Sequence, residues 1–278
     1  MSWLAHERWT GHGPPLLLLH GFTGNRSAFA HLRDGLTAHA EVVTVDLPGH
    51  GESPFPEDTT FSSTLRALGE LLDGLGLAEV DVAGYSLGAR LALGLAVEAG
   101  HRVRRLVLES GSPGLRRRRG RLVRRQADEA LAARIEADGV AQFVEAWEAL
   151  PVFAGLRTLP AEKKAAVRAR RLAGSPEGLA GSLRRLGLGV QPSYWSALPA
   201  VRSPTLLLTG ARDAKFTALA RRMAGELPLV WGHVVAGAGH APHLEAPEEW
   251  TREVTAFLSA PWIDRPLVES EETRSMAT

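Results

Sequence analysis

Val80-Asp81-Val82-Ala83-Gly84-Tyr85-Ser86-Leu87-Gly88-Ala89-Arg90 joins a short β-rich run to a G-x-S-x-G turn, and a small-residue helical pattern continues through Ala99. Strand, sharp turn and helix in that order make a nucleophile elbow, which exposes a serine hydroxyl at the end of a strand. Gly84 and Gly88 suit a turn so tight that a Cβ two residues to either side of Ser86 would collide. Five residues alone recur by chance, but this setting makes Ser86 the candidate nucleophile.

Outward from the elbow, short β-rich runs recur at Leu16–Leu19, Val42–Val45, Val80–Ala83, Val103–Leu108, Thr205–Leu208 and His233–Val235. Helical patterns lie between most of them, around Ala28–His39, Thr64–Leu75, Leu87–Ala99, Thr217–Glu226 and Pro247–Leu258. Strands alternating with helices predict an α/β domain with a mainly parallel sheet flanked by helices. The rhythm breaks between Gly111 and Pro199, where the chain reads as helical throughout and rich in arginine. That interval predicts an all-helical cap inserted after the Val103–Leu108 strand. The expected division is core over 1–111, cap over 112–198, core again over 199–260 and a flexible tail over 261–278.

Bulk properties narrow the class. The 278 residues carry a net charge of +1, so nothing global points to nucleic acid or an acidic membrane. Cysteine is absent, which excludes disulfide frameworks and thiolate metal sites. Met1–Pro15 shows no apolar leader and no run approaches the roughly 20 residues of a membrane helix, so a cytoplasmic protein is expected. Oligomeric state is not legible.

A serine hydroxyl needs a base, and the base needs an orienting group. In the α/β-hydrolase fold these follow in the order Ser, Asp or Glu, His. Thr205-Leu-Leu-Leu-Thr-Gly-Ala-Arg-Asp213 places a carboxylate just past a strand, and Val234-Val-Ala-Gly-Ala-Gly-His240 places a histidine in a Gly-rich loop after the last strand. His20-Gly-Phe-Thr-Gly24 follows another strand as an oxyanion-loop signature, with the N–H groups of Phe22 and Leu87 as donors. Each element has a rival. Asp213 also fits a helix N-cap, Glu109 is a second strand-end carboxylate, and His243 competes with His240, although Pro242 and Leu244 suit a packed position. His20 and His50 read as loop anchors, and Asp46-Leu-Pro-Gly-His-Gly-Glu-Ser53 as a structural turn.

The cap phrases are more particular: Arg124-Arg-Gln-Ala-Asp128, Phe143-Val-Glu-Ala-Trp147, Pro151-Val-Phe153, Arg171-Leu-Ala-Gly-Ser-Pro-Glu-Gly-Leu-Ala180 and Gly187-Leu-Gly-Val-Gln-Pro192, then Gly210-Ala-Arg-Asp-Ala-Lys-Phe216. With the elbow and oxyanion loop, they make residues 15–258 resemble the 2-succinyl-6-hydroxy-2,4-cyclohexadiene-1-carboxylate synthases of menaquinone biosynthesis. Two departures are Ala211, where many relatives carry Glu, and a short N-terminus that implies abbreviated early strands. The resemblance implies a lyase that eliminates pyruvate from a cyclohexene polycarboxylate, with Ser86 as base, activated by His240 and oriented through Asp213. It also implies that Arg124 and Arg171 face the substrate, that Tyr85 and Trp147 line the pocket, and that Arg90 is a further carboxylate contact. No metal or organic cofactor is implied, and the expected partner is a small anionic substrate.

Rival functions on the same scaffold are a carboxylesterase or C–C bond hydrolase and a ligand-binding receptor. The Arg116–Arg119 run could also meet nucleic acid or acidic lipid. Near-neutral overall charge and the lack of interleaved aromatics argue against it.

Overall fold

The computed structural model describes residues 3–260. Its centre is a seven-stranded sheet of β1 (His6–Trp9), β2 (Pro15–Leu19), β3 (Glu41–Val45), β4 (Val80–Tyr85), β5 (Val103–Glu109), β6 (Thr205–Gly210) and β7 (Val230–Val235). The strand order is β1-β3-β2-β4-β5-β6-β7. Only β1 runs antiparallel to its neighbour, and every other pair is parallel. Parallel pairs need crossovers, and helices supply most of them.

The helices are α1 (Arg33–Thr37), α2 (Phe61–Gly74), α3 (Leu87–Glu98), α4 (Arg118–Glu148), α5 (Ala161–Leu172), α6 (Pro176–Leu186), α7 (Ala214–Ala224), α8 (Pro242–Glu245) and α9 (Pro247–Ser259). Side chains alternate across a strand, and β2 feeds a separate core on each face. Leu17 and Leu19 pack with α2 and α3 residues such as Leu68 and Leu91. Leu16 and Leu18 pack with Phe29, Leu36, Trp250 and Val254 on the other side. Burial of each leucine contributes about 1.5–3 kcal/mol, so the continuous apolar run stabilises a three-layer sandwich.

Between β5 and β6 every regular element of the described chain is a helix, joined by loops. The α4 span breaks at Gly139 (φ 80°, ψ 166°), a backbone conformation open chiefly to glycine. Folding back there lets Ala132, Ile135, Phe143 and Val144 meet Leu179, Ala180 and Leu183 of α6 in a small separate core. The ring of Phe22 packs against that cluster, so the cap rests on the loop after β2.

Several boundaries differ from the sequence expectation. Strand β1 was not among the β-rich runs read from the sequence, because three of its four residues are exposed and it lacks apolar alternation. It pairs along β3 and adds an Arg8–Glu41 ion pair. The helix expected over Ala28–His39 is a 3-10 segment, Arg26–Leu32, followed by the short α1. Strand β7 starts three residues before His233. The tail expected over 261–278 lies outside the described residues. Among the described residues no helix is long and apolar enough to cross a membrane.

Candidate active site

Ser86 stands between β4 and α3 with φ 52° and ψ −102°. A non-glycine residue rarely adopts positive φ, and such strain persists only where neighbours over-determine it. Here the Ser86 N–H donates to the Glu109 carbonyl on β5 at 2.9 Å. A Cβ on Gly84 would lie 2.4 Å from the Gly88 carbonyl, inside the turn as expected. Gly88 is needed for a different reason: its Cβ would lie 2.0 Å from the Leu19 oxygen on β2. The elbow is pressed onto the neighbouring strand.

Beside it lie the other two predicted residues. His240 Nε2 is 3.3 Å from Ser86 Oγ, and His240 Nδ1 is 2.7 Å from Asp213 Oδ2. Both His240 and Asp213 are buried. The Ser–His contact is at the long end for O–H···N, a distance that tightens in reacting complexes. The approach depends on Gly210, whose absent Cβ would be 2.2 Å from the Gly239 oxygen. Asp213 also caps α7, accepting the Phe216 N–H at 3.1 Å through its other oxygen. One oxygen thus faces His240 and the other caps the helix.

The rival pair is equally well defined. Glu109 accepts the His243 backbone N–H at 3.1 Å, lies 2.7 Å from His243 Nδ1, and accepts the Trp250 indole N–H at 2.9 Å. Glu109 and His243 thus form a buried second pair that joins β5 to α8 and α9. Tyr85 separates the two histidines, its ring 5.5 Å from His240 and 4.6 Å from His243. Burial, and next the Glu109 charge, push the Tyr85 hydroxyl pKa upward, keeping it neutral.

Around the Ser86 hydroxyl, Leu87 opens α3, so its N–H lacks an intrahelical partner. Phe22 follows Gly21, where a Cβ would press within 2.6 Å of the Tyr85 ring. His20 holds this loop: its Nε2 accepts the Leu47 N–H at 3.0 Å, and its Nδ1 bonds the Gly21 carbonyl at 2.7 Å. Burial, followed by the His50 charge, holds the His20 pKa well below the usual value, so the ring is neutral. Asp46 collects the Arg26 backbone N–H, the Arg26 guanidinium and the Glu52 N–H, which gives the 46–53 turn its structural role.

The cap residues form two groups. In the first, Arg171 is buried, stacks 4.9 Å over the Phe153 ring, and donates to Glu148 at 3.2 Å. It lines a cleft with Phe22, Tyr85, Phe153 and Arg170. Trp147 packs 5.5 Å from Phe22 and 5.4 Å from Phe153, and its buried indole N–H has no protein acceptor. In the second group, Arg124 Nε donates to Asp128 Oδ1 at 2.7 Å. Arg90 donates to the Leu186 carbonyl at 2.8 Å and to Gln191 at 3.1 Å. Burial, then the neighbouring Arg124, lower the Arg90 pKa to about 10, while Asp128 acts in the opposite sense. Even so, Arg90 stays charged at neutral pH.

Sequence reading passed over Asp128, Glu148, Phe153 as a ring partner of Arg171, and Glu245. Only Asp128 left a signal, its i, i+4 spacing from Arg124 on one helix. Among the described residues no group of three or more His, Cys, Asp or Glu side chains could hold a metal ion.

A strained serine beneath a histidine and an acid, at the carboxyl ends of parallel strands, defines a class. The chain belongs to the alpha/beta hydrolase family, whose model matches residues 16–254. Within it the chain belongs with the 2-succinyl-6-hydroxy-2,4-cyclohexadiene-1-carboxylate synthases. It is 34% identical over 234 residues to the synthase of that name from Salmonella paratyphi A, covering 84% of this chain and 89% of the relative. A Bacillus subtilis (strain 168) protein that carries the name provisionally is 37% identical, covering 88% and 90%. The solved structure of MenH from S. aureus superposes with a TM-score of 0.88 at 32% identity, covering 91% and 97%. A malate-bound thermophilic esterase from Thermogutta terrifontis superposes at 0.80 with 31% identity, covering 92% of each chain.

Proposed function

We infer that this protein is a carbon–oxygen lyase that eliminates pyruvate from 2-succinyl-5-enolpyruvyl-6-hydroxy-3-cyclohexene-1-carboxylate in menaquinone biosynthesis. Substrate and product differ by a proton at ring carbon 2 and the whole enolpyruvyloxy group at carbon 5. Removing that proton moves the ring alkene from C3=C4 to C2=C3 and C4=C5 as the C5–O bond breaks, and the released enol becomes pyruvate. The proton at C2 is acidic because the adjacent succinyl carbonyl stores the charge as an enolate. The reaction therefore needs a base, donors for an oxyanion and fixed cations for the carboxylates.

In this reading Ser86 Oγ takes the proton while His240 accepts the serine proton, and Asp213 holds the imidazole tautomer and the charge that develops on it. The N–H groups of Phe22 and Leu87 stabilise the enolate oxygen. Arg90, Arg124 and Arg171 meet carboxylates, and Tyr85 and Trp147 wall the ring. Arg124 spends only Nε on Asp128, which leaves its two terminal nitrogens as a fork for a carboxylate. The observation that carries the reading is the pairing of the Ser86–His240–Asp213 relay with a cap that supplies arginines, where an ester of a neutral acid would need an apolar lid.

The esterase neighbour favours a second reading, acyl transfer by the same serine. One assay separates them: the cyclohexene precursor and an aryl ester are offered to the same preparation. Pyruvate release that disappears in Ser86→Ala supports the lyase; fast ester hydrolysis with no pyruvate supports the esterase. Chelators are expected to leave the lyase activity unchanged.

A further inference from the structure

The loop that carries His240 is held from behind by one side chain that the reaction itself does not use. Glu245, the last residue of α8, turns its carboxylate back toward the chain. It accepts the Gly239 N–H at 2.7 Å with one oxygen and the Ala241 N–H at 3.1 Å with the other. These are the backbone N–H groups of the residues on either side of His240. Gly239, His240 and Ala241 are all buried, so either amide left unpaired would carry its full desolvation penalty. The same carboxylate is roofed by the cap: a Cβ on Gly155 would lie 1.8 Å from Glu245 Oε2. Gly155 sits in the 3-10 segment Pro151–Thr158, whose Phe153 ring also reaches the His240 ring at 6.1 Å. No other side chain of the described residues bridges the cap and the backbone on both sides of His240 in this way.

We propose that Glu245 is the positioning residue for His240, and that the cap's Gly155 turn seats it, so the pose of the cap is transmitted to the histidine through one carboxylate. The proposal rests on reading Ser86–His240–Asp213 as the reactive relay. Glu245 touches no reacting atom: it fixes two peptide planes, which aim the imidazole at Ser86 Oγ. Loss of the carboxylate lets those planes rotate to seek other partners, and the 3.3 Å Ser–His contact lengthens. A bulkier residue at 155 displaces the carboxylate from the other side and has the same consequence.

The test measures how fast a fluorophosphonate labels Ser86. In that reaction Oγ bonds to phosphorus, fluoride leaves and His240 takes the serine proton, so the rate reports the relay without any substrate. Glu245→Ala is expected to slow labelling tenfold or more. Glu245→Gln should recover part of the loss, because its carbonyl oxygen still accepts one amide. Gly155→Ala should slow labelling at least threefold in the unaltered protein and add nothing in the Glu245→Ala background. Folded Glu245→Ala that labels within twofold of the unaltered protein overturns the proposal. Equal Gly155→Ala effects in both backgrounds overturn it as well, and an unaltered protein that does not label removes it together with the relay. Where Glu245→Ala fails to fold, Glu245→Gln and Gly155→Ala singly and combined carry the same comparison. Labelled but pyruvate-silent protein would sink only the reaction assigned above.

Discussion

Ser86 and Arg124 show how differently single residues answer for the same chemistry. Ser86→Ala removes the atom proposed to take the proton, and kcat for pyruvate release should fall by about 10³-fold or more with KM little changed. Asp213→Asn keeps the cap of α7 on its remaining oxygen but offers His240 the wrong tautomer partner; a fall of about 10²–10⁴-fold in kcat is expected. Arg124→Ala should act mainly on KM, raising it by ten- to a hundredfold, since the guanidinium meets a charge present before and after elimination. An Arg124→Ala enzyme with unchanged steady-state constants would remove that residue from the site. At this scale the sequence was most explicit about the three relay residues, because chain order and strand-end position restrict them. Pattern favoured Asp213 over Glu109 and His240 over His243, the latter because Pro242 and Leu244 suit a packed position, but it showed no partner for any of the four. The structure supplies the partners: Glu109 pairs with His243 and Trp250, and Asp213 with His240.

Elements were legible where their faces are uniformly apolar and illegible where tertiary contacts substitute for pattern. β2 and β6 announce themselves because both faces are buried. β1 does not, since its outward residues are polar and its existence depends on the β3 edge. The break of α4 at Gly139 has the same character: a single glycine in a polar helix carries no periodic signal, yet it returns the chain toward the active site. The elbow lies between these cases. Its glycines were readable, but the constraint on Gly88 comes from a strand about seventy residues away in sequence. Gly88→Ala should therefore shift β2 as well as the turn, and chemical denaturation is expected to show a loss of more than about 2 kcal/mol. A loss below about 0.5 kcal/mol would mean that the Leu19 carbonyl moves freely, against the close packing described. Glu109→Gln, by contrast, should cost stability through the β5–α8–α9 junction while leaving the Ser86 labelling rate within a few fold, because the proposed relay runs through His240 and not through its partner His243.

For the whole molecule the arginine-rich cap and near-neutral net charge describe one division of labour: much cap charge is internally paired, as Arg184 is with Glu129 and Glu136. Titration is then governed by buried neutral groups beneath the site. His50 is buried, and desolvation lowers its pKa to about 4 against backbone contacts that act the other way. His20 shifts in the same direction for the same leading reason. An unfolded histidine binds a proton near pH 6.5, whereas these native rings refuse it, so the unfolded state gains protons first as the solution is acidified. The contribution of these rings to stability is therefore full above about pH 6.5 and is lost progressively toward pH 4. For His50 alone the loss by pH 5 is about 2 kcal/mol. Urea midpoints measured between pH 7.5 and 5 span the pKa of an unfolded histidine and so read this contribution. His50→Asn should lower stability at pH 7.5 and flatten the dependence on acidification. A midpoint that is level across that interval in the unaltered protein would mean the rings accept protons without unfolding. The reading of His20 and His50 as neutral loop anchors would then have to be abandoned.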